Sequence, residues 1–237
     1  MQPIQIDSKS TKMIAHRGAA KVWVENSLPA FRNSAALSYW GIETDIHCTK
    51  DGNFIITHDD DTARVTGKSY VVEETDFDQL RNDARLLGLE GDDAIMPTLE
   101  EYISTCKSGN KICVLELKNR MPEEAIERII EKIKALGYLE RVVFISFSHT
   151  NMRIIRKLLP LQPIQFLISA KGFENGMALV REMPMDIDVQ YTVVTKELVD
   201  EIHAMGHRIN CWTVNDVAVA EELISLGVDY ITTDILE

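Results

Sequence analysis

The chain has 237 residues, 26% of them charged and 45% apolar, ordinary values for one folded domain whose core is large enough to need no staples. Its formal net charge of -12 argues against nucleic acid or an anionic membrane as the main partner, because both require a basic surface. No apolar run approaches the ~18 residues of a membrane span, and the opening MQPIQIDSKSTK lacks the apolar stretch of a signal peptide, so a cytoplasmic location without stable membrane insertion is expected.

In chain order, the first apolar run is KMIAH (12–16), a strand that ends on His16 and is followed at once by Arg17 and Gly18. GIETDIH (41–47) reads as the second strand. The pair Asp51-Gly52 signals a tight hairpin, so NFIITH (53–58) is expected to fold back beside the second strand's extension. Residues 60–96 form a long polar connection with one weak helical stretch at 76–86, a candidate small lid or insertion. KICVLEL (111–117) follows as a strand. In 122–136, Ile126, Ile129, Ile130 and Ile133 keep the helical period. RVVFIS (141–146), PIQFLI (163–168) and DIDVQY (186–191) are strands, and a second clear helix at 195–206 carries Leu198, Ile202 and Met205 on one face. RINCWTV (208–214) and VDYITTD (228–234) complete the set. Pro122 suits a helix start, and Gly137, Gly206 and Gly227 suit helix ends.

Eight strands alternating with helices predict a parallel sheet closed into a (β/α)8 TIM barrel, with the hairpin strand as a short extension. A doubly wound open sheet is the alternative fold. Glu237 ends the sequence just past the eighth strand, leaving no length for a full eighth helix, and 1–237 is expected to be a single barrel domain. Cys48, Cys106, Cys113 and Cys211 show no CxxC spacing and read as reduced thiols.

Residues i and i+2 of a strand share a face, so Glu43, Asp45 and His47 point together, as do Glu116 and Lys118. Three carboxylates at the C-terminal ends of neighbouring strands make a hard-oxygen pocket suited to Mg²⁺ or Ca²⁺. Spacing alone leaves a second reading open, in which Arg17 and Lys118 pair with them as a structural ion network. His16 and His58 both stand at strand ends, where barrel enzymes place their chemistry; histidines there suit acid–base work near neutral pH. His149, His203 and His207 lack such placement, and His47 is ambiguous.

The strings IAHRG, VENSLPAF, GIETDIHCTKDGNFIITHD, MPTLEEY, VLELK, SFSHTNMRIIRKLLP, CWTVND and GVDYITTD resemble, in order and over residues 14–234, the glycerophosphodiester phosphodiesterase family. HRG alone is a weak signal; eight strings in register are a strong one. The resemblance implies a TIM barrel with a divalent cation (Mg²⁺ or Ca²⁺, with Mn²⁺ as a substitute) that hydrolyses a small glycerophosphodiester to sn-glycerol 3-phosphate and an alcohol. Residue by residue, it implies a catalytic pair His16 and His58, metal ligands Glu43, Asp45 and Glu116, phosphate contacts Arg17 and Lys118, an aromatic Trp212 beside the substrate, and Glu25 and Asn26 as supports of the HRG loop. Ser27 replaces the family's usual Thr but keeps the hydroxyl, and the large inserted domain of some members is absent.

On this reading one histidine takes a proton from the attacking hydroxyl, either the glycerol 2-hydroxyl or water, and the other gives one to the leaving alcohol. His16 is expected to be the base and His58 the acid. Three rivals stand beside it: a lysophospholipase D-type enzyme, which needs an apolar mouth; a barrel that binds a phosphodiester without cleaving it; and a Schiff-base aldolase using Lys118, which has no use for three carboxylates. The preferred leaving alcohol and the oligomeric state are left open.

Overall fold

The computed structural model describes residues 1–237. Eight parallel strands close on themselves: β1 (Lys12–Ala15), β2 (Gly41–Cys48), β4 (Ile112–Leu117), β5 (Val142–Ser146), β6 (Ile164–Ile168), β7 (Asp186–Gln190), β8 (Ile209–Trp212) and β9 (Tyr230–Thr233). Each pairs with its sequence neighbour among these eight, and β1 pairs with both β2 and β9, which closes the barrel and rules out the open sheet. The remaining strand, β3 (Phe54–Ile56), runs antiparallel to β2 with Cys48 opposite Phe54, and Gly52 supplies the positive φ of 80° that the turn between them needs.

The helices are α1 (Leu28–Ala36), α2 (Ala63–Thr66), α3 (Phe77–Asp83), α4 (Leu99–Ser108), α5 (Glu123–Ala135), α6 (His149–Leu158), α7 (Phe173–Glu182), α8 (Lys196–Ala204) and α9 (Val217–Leu226). Local chemistry sets their ends. Thr98 and Glu101 form a reciprocal capping box at the start of α4, a device worth ~1 kcal/mol. Ser27 caps α1 by accepting from the Ala30 N–H, the job its retained hydroxyl allows. No helix follows β9 within the chain; Ile4 and Ile6 instead donate to the carbonyls of Ile235 and Glu237.

Outward-facing strand residues and inward-facing helix residues, among them Ile126, Ile129 and Ile133, form the main core. Inside the barrel, Ile14, Ile112, Val114, Val143, Ile145, Leu167 and Tyr230 fill the lumen as a packed plug. Above that plug the lumen turns polar. Residues 60–96 carry a small core of their own with the hairpin, built from Ile55, Val72, Leu80, Ala84, Leu86 and Met96. No helix is long and apolar enough to cross a membrane.

Candidate active site

The site begins where β1 ends. Arg17, Gly18 and Ala19 have φ of 49°, 77° and 67°, a left-handed run that turns the chain sharply off the strand tip. Gly18 is required twice over: its φ is positive, and a Cβ there would lie 2.8 Å from the Cβ of Ala30, so α1 packs directly against the turn. The turn aims the Arg17 backbone N–H at Glu43, which accepts it at 2.9 Å. Asn26, itself at φ 51°, donates to Asp45 at 2.9 Å, accepts from Thr44 at 2.7 Å and holds the Arg17 carbonyl through its own N–H. Glu25 accepts from the Arg17 guanidinium at 3.1 Å. The expected supports, Glu25 and Asn26, therefore sit under the HRG turn.

His16 and His58 line one cleft at the C-terminal end of the barrel, together with Arg17, Glu43, Glu116, Asp188 and Trp212, and the cleft encloses about 420 Å³ with its open mouth. Each histidine is pinned through Nδ1. His16 Nδ1 lies 2.7 Å from Asp234, just past β9, and His58 Nδ1 lies 2.7 Å from Asp59. Burial pushes the Asp234 carboxyl up, but the hydrogen bonds from His16 and Asn215 outweigh it and hold the carboxyl below its ordinary value. The Arg64 hydrogen bond, with help from His58, holds Asp59 well below the carboxylate range. Both carboxylates are thus ionised acceptors, which places the proton on each Nδ1 and leaves each Nε2 as the working nitrogen. Burial lowers the His58 pKa; Asp45 and Asp59 oppose, while Arg17 and Lys118 reinforce it.

Glu43, Asp45 and Glu116 are all buried, and one oxygen from each lies within 4.8 Å of the others. That is about twice the ~2.4 Å reach of an oxygen to Ca²⁺. Burial and the Asp45 charge push Glu43 well above its ordinary value, and the same two causes lift Glu116 to about 8. Asp45 is equally buried, but Lys118 and Arg17 hold it at about 2. Its Oδ1 nonetheless accepts no hydrogen bond. Three carboxyls that cannot all ionise together, one with an orphaned buried oxygen, fit a hard divalent cation, and the all-oxygen donor set is compatible with Mg²⁺ or Ca²⁺.

The ion network read as an alternative is also present. Lys118 lies 3.1 Å from Glu116 and 3.5 Å from Asp45, and Arg17 Nε lies 3.5 Å from Asp45. Burial lowers the Lys118 pKa, yet Asp45 and Glu116 raise it further, so the ammonium stays charged, which disfavours the Schiff-base rival. Arg17 Nε is buried against Asp45 without a hydrogen bond to it, and Arg17 itself lines the cleft. Trp212 lines the cleft with its indole N–H tied to the Asp188 carbonyl at 3.0 Å and its ring edge-on to Phe147 at 5.7 Å.

His47 is not in the cleft. It is buried, with Nε2 against the His58 carbonyl at 3.3 Å and Nδ1 facing Glu73 at 3.5 Å. His203 and His207 pair with Asp229 and Asp186 away from the site. Asp59, Arg64, Asp188 and Asp234 join the site without a sequence pattern that singles them out. Asp188 is a buried lumen carboxyl that burial and Glu116 push well up, against the Asn210 amide.

A family model described as "Glycerophosphoryl diester phosphodiesterase family" matches residues 16–237. A protein of Bacillus altitudinis named glycerophosphodiester phosphodiesterase is 31% identical, covering 94% of each chain. One of the same name from Caldanaerobacter subterraneus subsp. tengcongensis is 29% identical, again with 94% of each chain. Among solved structures, a phosphodiesterase from Oleispira antarctica in complex with the product sn-glycerol-3-phosphate is 24% identical, covers 96% of this chain and 94% of its own, and superposes with a TM-score of 0.84.

Proposed function

Because this chain belongs to the glycerophosphoryl diester phosphodiesterase family, we propose that it hydrolyses small glycerophosphodiesters to sn-glycerol 3-phosphate and an alcohol, with a divalent cation and two histidines. The observation that carries the reading is the pair of histidines, each pinned through Nδ1 by a carboxylate, facing one cleft beside the Glu43, Asp45 and Glu116 cluster.

Glu43, Asp45 and Glu116 are the residues that hold the cation. When bound, it screens the phosphate and stabilises charge on the phosphate oxygens. Arg17, which lines the cleft, offers its guanidinium to a phosphate oxygen, and the Lys118 ammonium adds a second contact. His16 Nε2 takes the proton from the attacking oxygen as that oxygen bonds to phosphorus. His58 Nε2 gives a proton to the alcohol oxygen as its bond to phosphorus breaks. Asp234 and Asp59 keep each ring in the tautomer this requires. Trp212 and Phe147 form an aromatic wall beside the leaving alcohol.

In the same reading, residues 60–96 pack on the hairpin that carries His58 and the chain works as one catalytic domain. Four unpaired cysteines fit a cytoplasmic location. The test is product analysis by mass spectrometry over a panel of glycerophosphodiesters. Release of sn-glycerol 3-phosphate and the matching alcohol supports the reading; release of a phosphoalcohol and glycerol contradicts it.

A further inference from the structure

Arg64 sits in α2, a single helical turn of the 60–96 connection, outside the barrel lumen. All three of its guanidinium nitrogens are engaged. Nη1 and Nη2 donate to the two oxygens of Glu25 at 2.7 and 2.8 Å, and Nε donates to Asp59 Oδ2 at 2.6 Å. Neither carboxylate ends there. Glu25 Oε1 also accepts from Arg17 at 3.1 Å, and Asp59 Oδ1 lies 2.7 Å from His58 Nδ1.

We propose that Arg64 is a positioning residue that holds the phosphate-gripping Arg17 and the proton-donating His58 in register, through Glu25 and Asp59. The inference rests on the roles given above to those two residues. An exposed ion pair usually contributes little. This one differs in geometry: a planar fork with two short bonds to one carboxylate, and a third arm fixed at the angle of a second. A single rigid group therefore sets the separation of two cleft residues that no backbone element joins. A lysine reaches one carboxylate but cannot span both. Freed from Arg64, Asp59 has no other partner to aim its second oxygen, and His58 loses its fixed ring orientation. Freed from Arg64, Glu25 turns wholly to Arg17 and draws its guanidinium from the phosphate position.

A merely structural ion pair would lower activity toward every substrate alike. A positioning role splits into two measurable effects. Arg64→Ala should lower kcat for a diester with an alkyl alcohol leaving group by ~10–100-fold, the usual loss for a displaced catalytic group. It should change kcat for the p-nitrophenyl diester of glycerol 3-phosphate by less than ~3-fold, since nitrophenol leaves without an acid. It should also raise KM for both. Combined with Asp59→Ala, it should add nothing to the leaving-group discrimination while still raising KM, because one arm has then already been cut. Arg64→Lys, the variant to rely on if the alanine protein does not fold, should show the same split to a smaller degree.

A readout independent of turnover comes from NMR of the imidazole protons. The hydrogen-bonded Nδ1–H of His58 should be visible in the native protein and lost or exchange-broadened in both Arg64 variants, with that of His16 unchanged. Equal kcat losses on the two diesters, unchanged KM, or an undisturbed His58 signal would overturn the proposal. Absence of diester turnover by the native protein would instead sink the hydrolysis reading and leave the NMR signal to decide for or against Arg64.

Discussion

His16 and Asp234 stand 2.7 Å apart although 218 positions separate them in the chain. The contact exists because β1 and β9 are neighbours across the barrel's closing seam, so the tip of the first strand meets the residue after the last. Asp234 is itself held by Asn215, which donates from Nδ2 to Oδ2 at 2.7 Å and accepts the Asp234 N–H at 2.8 Å. Both carboxylate oxygens thus face donors. An amide at 234 offers only one oxygen, so either Asn215 or His16 must meet an NH₂ group. Asp234→Asn should lower kcat by ~10–100-fold with KM little changed, since the base loses its tautomer and the charge that stabilises its protonated form. Steady-state kinetics check it; a KM effect without a kcat effect would move Asp234 from base support to substrate binding.

The carboxylate cluster makes a prediction about stability as well as activity. Glu116 has its pKa raised to about 8 in the fold, so the fold favours its neutral form. That contribution is full below the unfolded value near 4.5 and is lost as pH rises toward about 8. Asp45, held at about 2, works the other way, and its contribution is lost only as pH falls from about 3.8 through about 2. Thermal melts of chelator-treated protein should therefore show Glu116 eroding stability between pH 5 and 8. Added Mg²⁺ or Ca²⁺ should raise the melting temperature more at pH 8 than at pH 5, where protons compete for the same oxygens. Chelation should abolish activity and the added ion restore it. Glu43→Gln should weaken binding of Mn²⁺, followed by electron paramagnetic resonance, without unfolding the chain.

Arg17 is fixed by its backbone N–H to Glu43, its Nη1 to Glu25 and its Nε beside Asp45 at 3.5 Å. A lysine at 17 keeps the backbone bond and the charge but not the directed donor. Hydrogen bonds to charged groups are worth ~1.5–3 kcal/mol, so Arg17→Lys should weaken inhibition by glycerol 3-phosphate by about 10–150-fold. Competition kinetics measure it, and an unchanged inhibition constant would remove Arg17 from the phosphate site.

Much of the candidate site's geometry is legible in the sequence because strand parity is a hard rule. Glu43 and Asp45 on β2 and Glu116 on β4 converge as their spacing requires, and His16 and His58 follow β1 and β3 into the cleft. Parity fails at His47 for a physical reason. By that point β2 has left the barrel to pair with β3, with His47 opposite Ile55, and the hairpin carries the ring beneath the 58–73 segment. The partners of the histidines were hidden for different reasons. Asp234 depends on barrel closure, a contact no local pattern carries. Arg64 sits in polar sequence without periodicity, where a one-turn helix leaves no trace. Asp59 was visible as the neighbour of His58, yet adjacency alone does not tell which way a carboxylate turns. Asp188 shares its face with Asp186 and Gln190 on a strand whose alternation reads as an ordinary half-polar edge.

The measurement that bears most directly on the two-histidine account is leaving-group dependence in His16→Ala and His58→Ala. Each histidine should contribute ~10²–10⁴ in rate where its proton transfer is needed. If His58 is the acid, His58→Ala should nearly abolish cleavage of a glycerophosphodiester with an alkyl alcohol and largely spare the p-nitrophenyl diester. His16→Ala should damage both, because the attacking oxygen still needs its base. The reverse pattern would exchange the two roles, and equal rates on both substrates in both variants, matching the native protein, would contradict the account.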